Sequence, residues 1–267
     1  MPGGDVPRAL TIAGSDSGGG AGIQADLKTF QALGAWGMSA ITAVTVQNTK
    51  GVEGYEELSP RLVGDQIRAV ATDIGVDAAK TGMLASRGII EAVADALSEV
   101  RIPFLVVDPV FVSKHGHPLL AEDAVDALRT SIVPGATLVT PNLPEAAGLA
   151  GMPVRERDDM EAAGRAILDL GASAVLVKGG HLDAGEAIDL LVTADGVDEI
   201  AAARIDTPHT HGTGCVLSAA ITAHLARGDG LQEAVRRGKE FVTGSIRGHL
   251  EIGQGIGPVD PSRGRPA

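Results

Sequence analysis

Short apolar runs alternate with longer segments of helical period along most of the chain, and this alternation constrains the fold more than any other feature. Runs such as ALTIA, FLVVD and AVLVK are typical of strands, and apolar residues at helical spacing lie between them. Nearly continuous apolar strands indicate a mostly parallel sheet that is buried on both faces. We therefore predict an α/β fold with helices on both sides of a central sheet.

Turn and capping signals divide these segments further. Ser59-Pro60 is a cap followed by proline, which predicts the start of a helix. Asp195-Gly196 lies between two apolar runs and predicts a hairpin, so an antiparallel piece is expected at the edge of the sheet. Further helices are predicted from Gly214 and over 231–249. The strands are predicted at 9–13, 38–46, 77–80, 104–108, 136–140 and 174–178.

The sequence shows no internal repeat, no linker and no shift in composition. We predict one domain over residues 1–267, with a core at about 9–250 and flexible termini at MPGGDVP and GPVDPSRGRPA. In parallel α/β sheets, ligands bind beyond the carboxyl ends of the strands. The loops that follow the strands are therefore where a functional site is expected.

Charge and composition exclude several classes of function. The net charge of -12 argues against sequence-independent nucleic-acid binding, which needs a cationic surface. Small phosphate ligands remain possible, because a few lysines, backbone N–H groups and a metal ion can hold them. The single cysteine fits a reducing compartment. With no leader sequence and no apolar run of about 18 residues, we expect a cytoplasmic protein that binds no membrane.

The loop AGSDSGGGAGIQAD at 13–26 follows the first strand and opens a helix. Its glycines permit a ligand to approach the backbone closely. It matches neither the G-x-G-x-x-G pattern of dinucleotide sites nor the G-x-x-x-x-G-K-[ST] pattern of P-loops. We interpret it as a substrate-side loop, with a purely structural turn as the alternative.

The stretch THGTGCVLSAA contains the only cysteine, Cys215, at the start of an apolar helix. Free N–H groups at a helix start, with glycines that let them converge, form an anion site, and that would place Cys215 beside a transferred phosphoryl group. Two alternatives stay open. In the first, Cys215 is a small residue that packs at the start of the helix. In the second, Cys215 forms a metal site with His209 and His211. KHGHP at 114–118 is interpreted as a polar loop rather than a metal site.

Two further strand ends carry polar residues. In TPNLPEA, Asn142 and Glu145 could hold hydrated Mg²⁺, which prefers oxygen ligands, or they could equally form a helix-capping pair. In LVKGG, Lys178 ends a strand beside two glycines and is placed to meet an anionic phosphate. A lysine in that position is equally typical of a solvated surface.

Taken together, seven ordered motifs resemble the hydroxymethylpyrimidine/phosphomethylpyrimidine kinase family of thiamine biosynthesis, which belongs to the ribokinase-like superfamily. The resemblance runs from about residue 9 to about 250 and shows no fused second domain. It implies a single ribokinase-like domain, ATP as co-substrate, Mg²⁺ and a homodimer. It also implies phosphorylation of 4-amino-5-hydroxymethyl-2-methylpyrimidine and then of its monophosphate. The motifs are AGSDSGGGAGIQAD, AVTVQNT, KTGML, DPVFVSKHGHPLL, TPNLPEA, VKGGH and HGTGC.

The resemblance also implies roles for individual residues. Gln47 is expected to bond the aminopyrimidine edge, Lys178 to bind ATP phosphate, and Asn142 and Glu145 to serve Mg²⁺ and phosphate, with Asp108 nearby. The rest of the pyrimidine pocket is expected to consist of Gly14, Ala21, Asp26, Met83 and Val110. The anion hole is expected to consist of Gly212, Thr213 and Gly214, next to Cys215.

Cys215 stands where most ribokinase-like enzymes carry an aspartate base, and members of the resembled family carry cysteine. A helix N-terminus lowers the pKa of a thiol from about 8.5, so partial ionisation near neutral pH is expected. Cys215 then either takes the proton of the substrate hydroxyl or only orients that hydroxyl. The sequence departs from the family pattern at Phe111, where a methionine is expected, and this could alter the volume of the pocket. Thr81 in KTGML is a milder variation.

Two other functions fit the same residues. A pyridoxal kinase of the same superfamily would use the analogous hydroxymethyl acceptor, and its aldehyde could form a hemithioacetal with Cys215. A non-catalytic pyrimidine-binding protein could retain the scaffold alone. Against the second function, the chain keeps Asn142, Glu145, Lys178 and Cys215.

Overall fold

The computed structural model describes residues 6–114, 116–117, 119–121, 123–180 and 186–264, so His115, Pro118 and His181 of the quoted motifs lie outside the described residues. The strands are β1 (Arg8–Ala13), β2 (Trp36–Ile41), β3 (Ala43–Asn48), β4 (Gly51–Glu57), β5 (Ala78–Thr81), β6 (Leu105–Val107), β7 (Leu138–Val139), β8 (Ala174–Lys178), β9 (Glu186–Thr193) and β10 (Gly196–Ala203). The helices are α1 (Gly22–Ala32), α2 (Pro60–Asp73), α3 (Arg87–Glu99), α4 (Ala124–Ala127), α5 (Leu143–Ala150), α6 (Arg157–Leu168), α7 (Thr213–Ala226) and α8 (Leu231–Arg247).

The central sheet has eight strands in the order β10-β9-β8-β7-β6-β5-β1-β2. The strands from β8 to β2 pair in parallel, whereas β9 is antiparallel to both β8 and β10. The predicted α/β architecture and the predicted hairpin at the edge of the sheet are therefore confirmed. Strands that end at the same edge bring the loops after β1, β5, β6, β7 and β8 together.

Helices cover both faces of the sheet. Alternate residues of one strand point to opposite faces, so Leu10 belongs to one apolar cluster and its neighbour Ala9 to the other. The first cluster packs under α2, α3, α5 and α6, and the second packs under α1, α7 and α8. Helix α2 begins at the predicted cap, because the Ser59 side chain accepts a hydrogen bond from the Leu62 N–H.

The predicted strand at 38–46 is two strands. The chain leaves the central sheet at Thr42, and β3 pairs with β4 in a separate antiparallel ribbon of two strands. Composition did not reveal this break, because residues on both sides of Thr42 favour strands. The break matters for function, since the ribbon carries Gln47 to the edge where the strands of the central sheet end.

The segment that follows α8 is packed against the rest of the protein as far as residue 264, although a flexible tail was predicted there. Val259 is buried, and its N–H donates to the carbonyl oxygen of His211. The Ile256 N–H donates to the carbonyl oxygen of Thr49 in the turn between β3 and β4. This segment therefore ties the ribbon to the loop that precedes α7. Among the described residues, no helix has the length and apolar character needed to cross a membrane.

Candidate active site

A cleft of about 710 Å³ lies at the carboxyl ends of the parallel strands. Of the fourteen site residues that the sequence suggested, only Asp26 does not line it. The side chains come from loops after β1, β5, β6, β7 and β8, from the β3–β4 ribbon, and from the start of α7. This position agrees with the general rule for ligand sites in open α/β sheets.

The glycine loop between β1 and α1 is organised by Asp16. Its buried carboxylate accepts hydrogen bonds from the N–H groups of Gly18, Gly20 and Ala21 at 2.8, 3.0 and 2.8 Å. Nε2 of His211 lies 2.8 Å from the same carboxylate. Burial raises the pKa of Asp16, but His211 and the N–H donors outweigh it, so the net shift is downward.

One wall of the cleft holds the residues expected to bind a flat heterocycle. The Gln47 N–H donates to the Ser17 hydroxyl, and that hydroxyl donates to the Gln47 carbonyl oxygen. These two bonds fix the ribbon against the glycine loop. Met83 is buried and packs against Gly14, since a Cβ at Gly14 would lie 3.0 Å from the Met83 sulfur. Val110 lines the same part of the cleft. The wall thus combines one amide side chain with an apolar surface.

The turn before α7 has the geometry of an anion site. Gly212 is the N-cap in a left-handed conformation with φ of 83°, and Cys215 is the third residue of the helix. Within the part of the chain that the structure describes, the N–H groups of Gly214 and Cys215 have no acceptor. Such N–H groups and the helix dipole favour an anion at this end of α7. A Cβ at Gly214 would lie 3.5 Å from Nζ of Lys178, so the turn faces that cation.

The partly buried Lys178 and the buried Asp108 and Glu145 form a charged cluster beside this turn. Nζ of Lys178 lies 3.2 Å from Oδ1 of Asp108 and 3.9 Å from Oε2 of Glu145. Asp108 also accepts a hydrogen bond from the Ser218 hydroxyl at 3.2 Å. Lys178 is therefore part of the cleft and not the solvated surface lysine of the alternative interpretation.

The two interpretations of Asn142 and Glu145 prove compatible. The Glu145 N–H donates to Oδ1 of Asn142 at 2.9 Å, and the Asn142 N–H donates to Oε2 of Glu145 at 2.8 Å, which is a complete capping box. The same Glu145 carboxylate faces Lys178 in the cleft. Capping by Asn142 and a second backbone hydrogen bond, from Phe111, fix the direction of the Glu145 carboxylate at the edge of the cleft.

The charged groups in this cluster shift one another's pKa values. Burial raises the pKa of Glu145 to about 7, Lys178 opposes the shift, and the negative charge of Asp108 adds to it. Burial also acts to raise the pKa of Asp108, but Lys178 and Lys80 outweigh it and hold the pKa below its usual range. For Lys178 burial opposes the charge, yet Asp108 and Glu145 raise its pKa. At neutral pH the cluster has an anionic Asp108, a cationic Lys178 and a Glu145 near its midpoint.

The prediction that Cys215 is partly ionised near neutral pH is wrong for the unliganded protein. Burial raises the pKa of Cys215 to about 12, although Lys80 opposes the shift. The negative charges of Asp26 and Asp108 add to the rise. The thiol is only half-buried at the edge of the cleft, yet its loss of hydration outweighs the helix dipole, so it is neutral here.

Asp26 does not contact the cleft, in contrast to its predicted place in the pyrimidine pocket. It is fully buried beneath the cleft, where both of its carboxylate oxygens lie 3.0 Å from Nζ of Lys80. The Thr11 hydroxyl donates to Oδ2 of Asp26 at 2.7 Å. Burial opposes the charge on Lys80, but Asp26, Cys215 and Asp108 together outweigh it and raise the pKa of Lys80. Asp26 therefore holds a buried cation next to Cys215 and cannot bind the substrate directly.

No role was predicted for Lys80, although it lies in the motif KTGML. A signal was available, since Lys80 ends the short run DAAK, which was predicted to be a buried strand. A charge in such a strand requires a buried partner. Likewise, Asp16 and His211 both lie in quoted motifs, but their 195-residue separation hid the pair.

The metal site suggested for His209, His211 and Cys215 is not formed. His211 bonds to Asp16, and the ring of His209 stacks on that of His249 with centroids 5.2 Å apart. Phe111, where a methionine was expected, does not line the cleft. Its ring packs on Gly148 of α5, where a Cβ would lie 2.5 Å from a ring carbon.

Comparison with known proteins gives a consistent result. The family model described as phosphomethylpyrimidine kinase matches residues 16–260. The hydroxymethylpyrimidine/phosphomethylpyrimidine kinase of Streptomyces coelicolor is 53% identical over 256 residues, which are 95% of this chain and 94% of that protein. The Escherichia coli protein of the same description is 47% identical over 254 residues, 94% of this chain and 96% of that one.

Solved structures resemble the whole fold. An ADP complex of Bacillus subtilis pyridoxal kinase has a TM-score of 0.91 and 41% identity, with 97% of this chain and 98% of that chain covered. A phosphomethylpyrimidine kinase from Clostridium difficile has a TM-score of 0.79 and 47% identity, with 88% and 97% covered.

Proposed function

Because this chain belongs to the phosphomethylpyrimidine kinase family, we propose that it transfers a phosphoryl group from ATP to the hydroxymethyl oxygen of 4-amino-5-hydroxymethyl-2-methylpyrimidine. It then phosphorylates the resulting monophosphate to the diphosphate. The observation that carries this proposal is the juxtaposition, across one cleft, of the Gln47 and Met83 wall with the α7 turn and Lys178. One side suits a flat aminopyrimidine, and the other suits the phosphates of a nucleotide.

The pyrimidine lies against Met83 and Val110, and the Gln47 amide pairs with its amino and ring-nitrogen edge. An amide offers one acceptor and two donors, which matches that edge. Gly14 and Ala21 leave room for the ring to approach the glycine loop. The hydroxymethyl group then lies at Cys215.

The triphosphate lies between the α7 turn and Lys178. The N–H groups of Gly214 and Cys215 donate to the oxygens of the transferred group, and Lys178 neutralises charge on the same oxygens. The apolar residues Ile205, Val242 and Ile246 line the adjoining part of the cleft and suit an adenine ring.

Asp108 and Glu145 are the residues that would hold Mg²⁺. Their fit rests on the excess negative charge in the cluster, since the pKa of Glu145 is raised partly by Asp108 and a divalent cation would relieve that repulsion. Mg²⁺, when bound, neutralises phosphate charge during transfer. Asn142 keeps Glu145 in place through the capping box.

In the first reaction the hydroxymethyl oxygen attacks the γ-phosphorus, the bond to the β–γ bridging oxygen breaks, and ADP leaves. A neutral thiol cannot accept a proton, so Cys215 orients the hydroxyl, and the proton leaves late to the phosphate oxygens or solvent. A loose phosphoryl-transfer transition state requires positioning more than a strong base. In the second reaction an oxygen of the monophosphate attacks a second ATP in the same way.

The test is a coupled ADP assay on purified protein with ATP, Mg²⁺ and the pyrimidine alcohol or its monophosphate. We expect two ADP for each alcohol consumed and one for each monophosphate. Absence of turnover with both, while nucleotide and pyrimidine still bind, would favour the non-catalytic pyrimidine-binding function.

The second candidate is a pyridoxal kinase, favoured by Cys215 in the cleft and by the 0.91 TM-score to a protein described as one. The ratio of kcat/KM for the pyrimidine alcohol and for pyridoxal decides between the two. We expect the pyrimidine to be preferred by at least about tenfold, and a preference for pyridoxal contradicts the assignment.

The family resemblance also leads us to propose a cytoplasmic homodimer. Exposed apolar side chains at the ribbon and its neighbouring edge strand support an interface there: Trp36, Val44 and Val46 are 59%, 53% and 61% exposed. Size-exclusion chromatography with light scattering measures the mass of the protein in solution and tests whether it is a dimer. A mass of about 27 kDa, that of one chain, would contradict it.

A further inference from the structure

Asp189 and Lys239 form a buried ion pair that the roles proposed above do not use. Oδ2 of Asp189 lies 2.6 Å from Nζ of Lys239, and Asp189 and Lys239 are only 2% and 9% exposed. Asp189 belongs to β9 and Lys239 to α8, and both line the cleft. The pair therefore joins the edge of the sheet to a helix at the nucleotide side of the site.

Asp189 is also the direct neighbour of Lys178. The two residues are partners in the antiparallel register of β9 and β8. Oδ1 of Asp189 accepts a hydrogen bond from the N–H of Gly179 at 3.1 Å. One carboxylate thus holds the residue that follows Lys178 with one oxygen and the cation of α8 with the other.

The main chain at Lys178 is held from two sides. On one side its N–H donates to the carbonyl oxygen of Pro141 at 2.8 Å. On the other side Gly179 donates to Asp189, and a Cβ at Gly179 would overlap the carbonyl oxygen of Ile188. The carboxylate is the part of this clamp contributed by a side chain, so it can be removed without changing the backbone.

A purely structural role explains the pair poorly. A buried ion pair is often no more stabilising than two apolar side chains of similar size, because both charges lose their hydration. The surrounding face of the sheet is apolar, with Leu191 on the same strand fully buried. The feature that apolar residues could not reproduce here is an acceptor for the Gly179 N–H.

We propose that Asp189, oriented by its ion pair with Lys239, is a positioning residue that fixes Lys178 for the phosphate groups of the nucleotide. The inference rests on the proposed function, in which Lys178 binds those phosphates. Loss of the acceptor lets the Lys178–Gly179 turn move and weakens nucleotide binding. The pyrimidine wall at Gln47 and Met83 is unaffected, because it is formed by β3 and the segment after β5 and not by β8 or β9.

Two double variants test the proposal without leaving a buried charge unpaired. Asp189→Asn with Lys239→Met keeps an acceptor for Gly179, whereas Asp189→Leu with Lys239→Met has a side chain of similar size and no acceptor. Titration calorimetry with AMP-PNP and Mg²⁺ should give a Kd at least about tenfold higher for the leucine variant than for the asparagine variant, the range expected when the charged hydrogen bond from Lys178 to a phosphate is lost. The KM for the pyrimidine should agree within about twofold between the two.

Leu191→Ala is the matched control, since it damages the same face of β9 two residues away. It should lower the thermal midpoint and leave the Kd for AMP-PNP within about twofold of the unmodified protein. Equal Kd values for the two double variants, or an equal weakening in Leu191→Ala, would overturn the proposal. Because the titration needs no acceptor substrate, an unmodified protein that binds AMP-PNP but phosphorylates neither heterocycle overturns the proposed function alone.

Discussion

Gly212 is in direct contact with Gly20. The left-handed conformation of Gly212 turns its Cα towards the glycine loop, and a Cβ there would overlap the carbonyl oxygen of Gly20. The bond between His211 and Asp16 reinforces the same junction one residue earlier. The loop that faces the pyrimidine and the turn that faces the phosphates therefore form one rigid unit, which fixes the distance between acceptor and donor.

Gly212→Ala should separate these two parts. The alanine would meet the Gly20 carbonyl and adopt an unfavourable positive φ, so kcat should fall by at least about 100-fold, because a small misplacement of reacting groups has a large effect on rate. Stability should fall by about 1–3 kcal/mol. A coupled kinase assay and urea unfolding measure the two effects.

Gly151→Ala is the control for that substitution. Gly151 also has a positive φ, of 70°, but a Cβ there would have nothing within 4 Å. It should lose about 1 kcal/mol of stability and keep its kcat. Equal loss of kcat in both variants would mean that strain, and not contact with Gly20, controls the rate.

The thiol of Cys215 should react slowly in the unliganded protein. With a pKa of about 12, its alkylation by iodoacetamide at pH 8 should be at least about 100-fold slower than that of a free thiol, because only the thiolate reacts. The rate should rise about tenfold per pH unit up to pH 10. Mass spectrometry follows the reaction without ambiguity, since the chain has one cysteine. A rate that levels off near pH 8 would return the thiol to the role of base.

Substitutions of Cys215 should give a matching result. If the side chain orients the substrate hydroxyl, Cys215→Ser keeps kcat within about tenfold, and Cys215→Ala lowers kcat by about 100-fold or more with little change in thermal midpoint. Equal activity of the alanine variant and the unmodified protein would return Cys215 to the class of packed residues.

The sequence was sufficient for the architecture because strand and helix periods are local. The same holds for the hairpin at Asp195-Gly196 and the cap at Ser59, which depend on a few adjacent residues. The break at Thr42 could not be predicted, since it depends on which strand β3 pairs with and not on its own composition.

For the site, motifs placed residues in the cleft but could not specify their environment. The role of Asp26 was mistaken because its partner Lys80 is 54 residues away and burial is a property of the folded chain. The pKa of Cys215 was mistaken for the same reason, since the helix start is visible in the sequence and the enclosing residues are not. Residue type and spacing predicted where chemistry occurs, and only tertiary contacts determined the ionisation states.

Phe111→Met should have little effect on substrate binding. The Phe111 ring packs on Gly148 and not on the cleft, so the KM for the pyrimidine should change by less than about twofold. Stability should fall by about 1 kcal/mol, because Phe111 is partly buried and methionine leaves some of its packing on Gly148 unfilled. Val110→Ala, in the wall of the cleft, is the contrasting variant and should raise that KM. A larger change of KM in Phe111→Met than in Val110→Ala would contradict this arrangement.

Glu145 should make stability depend on pH in a defined window. Its pKa is raised from 4.5 to about 7, so between these values the folded protein holds a proton that the unfolded chain has lost. Stability relative to Glu145→Gln should therefore fall as pH rises from about 4.5 to about 7 and stay constant above it. Urea unfolding of both proteins at pH 5, 6, 7 and 8 measures the difference.

Mg²⁺ should reduce that difference without any substrate present. A cation held by Asp108 and Glu145 favours the ionised carboxylate, lowers the pKa of Glu145 and restores stability at pH 7. Urea unfolding in about 10 mM MgCl₂ and in NaCl of equal ionic strength separates specific Mg²⁺ binding from charge screening. The glutamine variant should show no such gain, because it has lost one carboxylate of the pair. If Mg²⁺ stabilises both proteins equally, Glu145 is not a ligand of the metal ion. If the difference in stability between the two proteins is the same at every pH, the pKa of Glu145 is not raised.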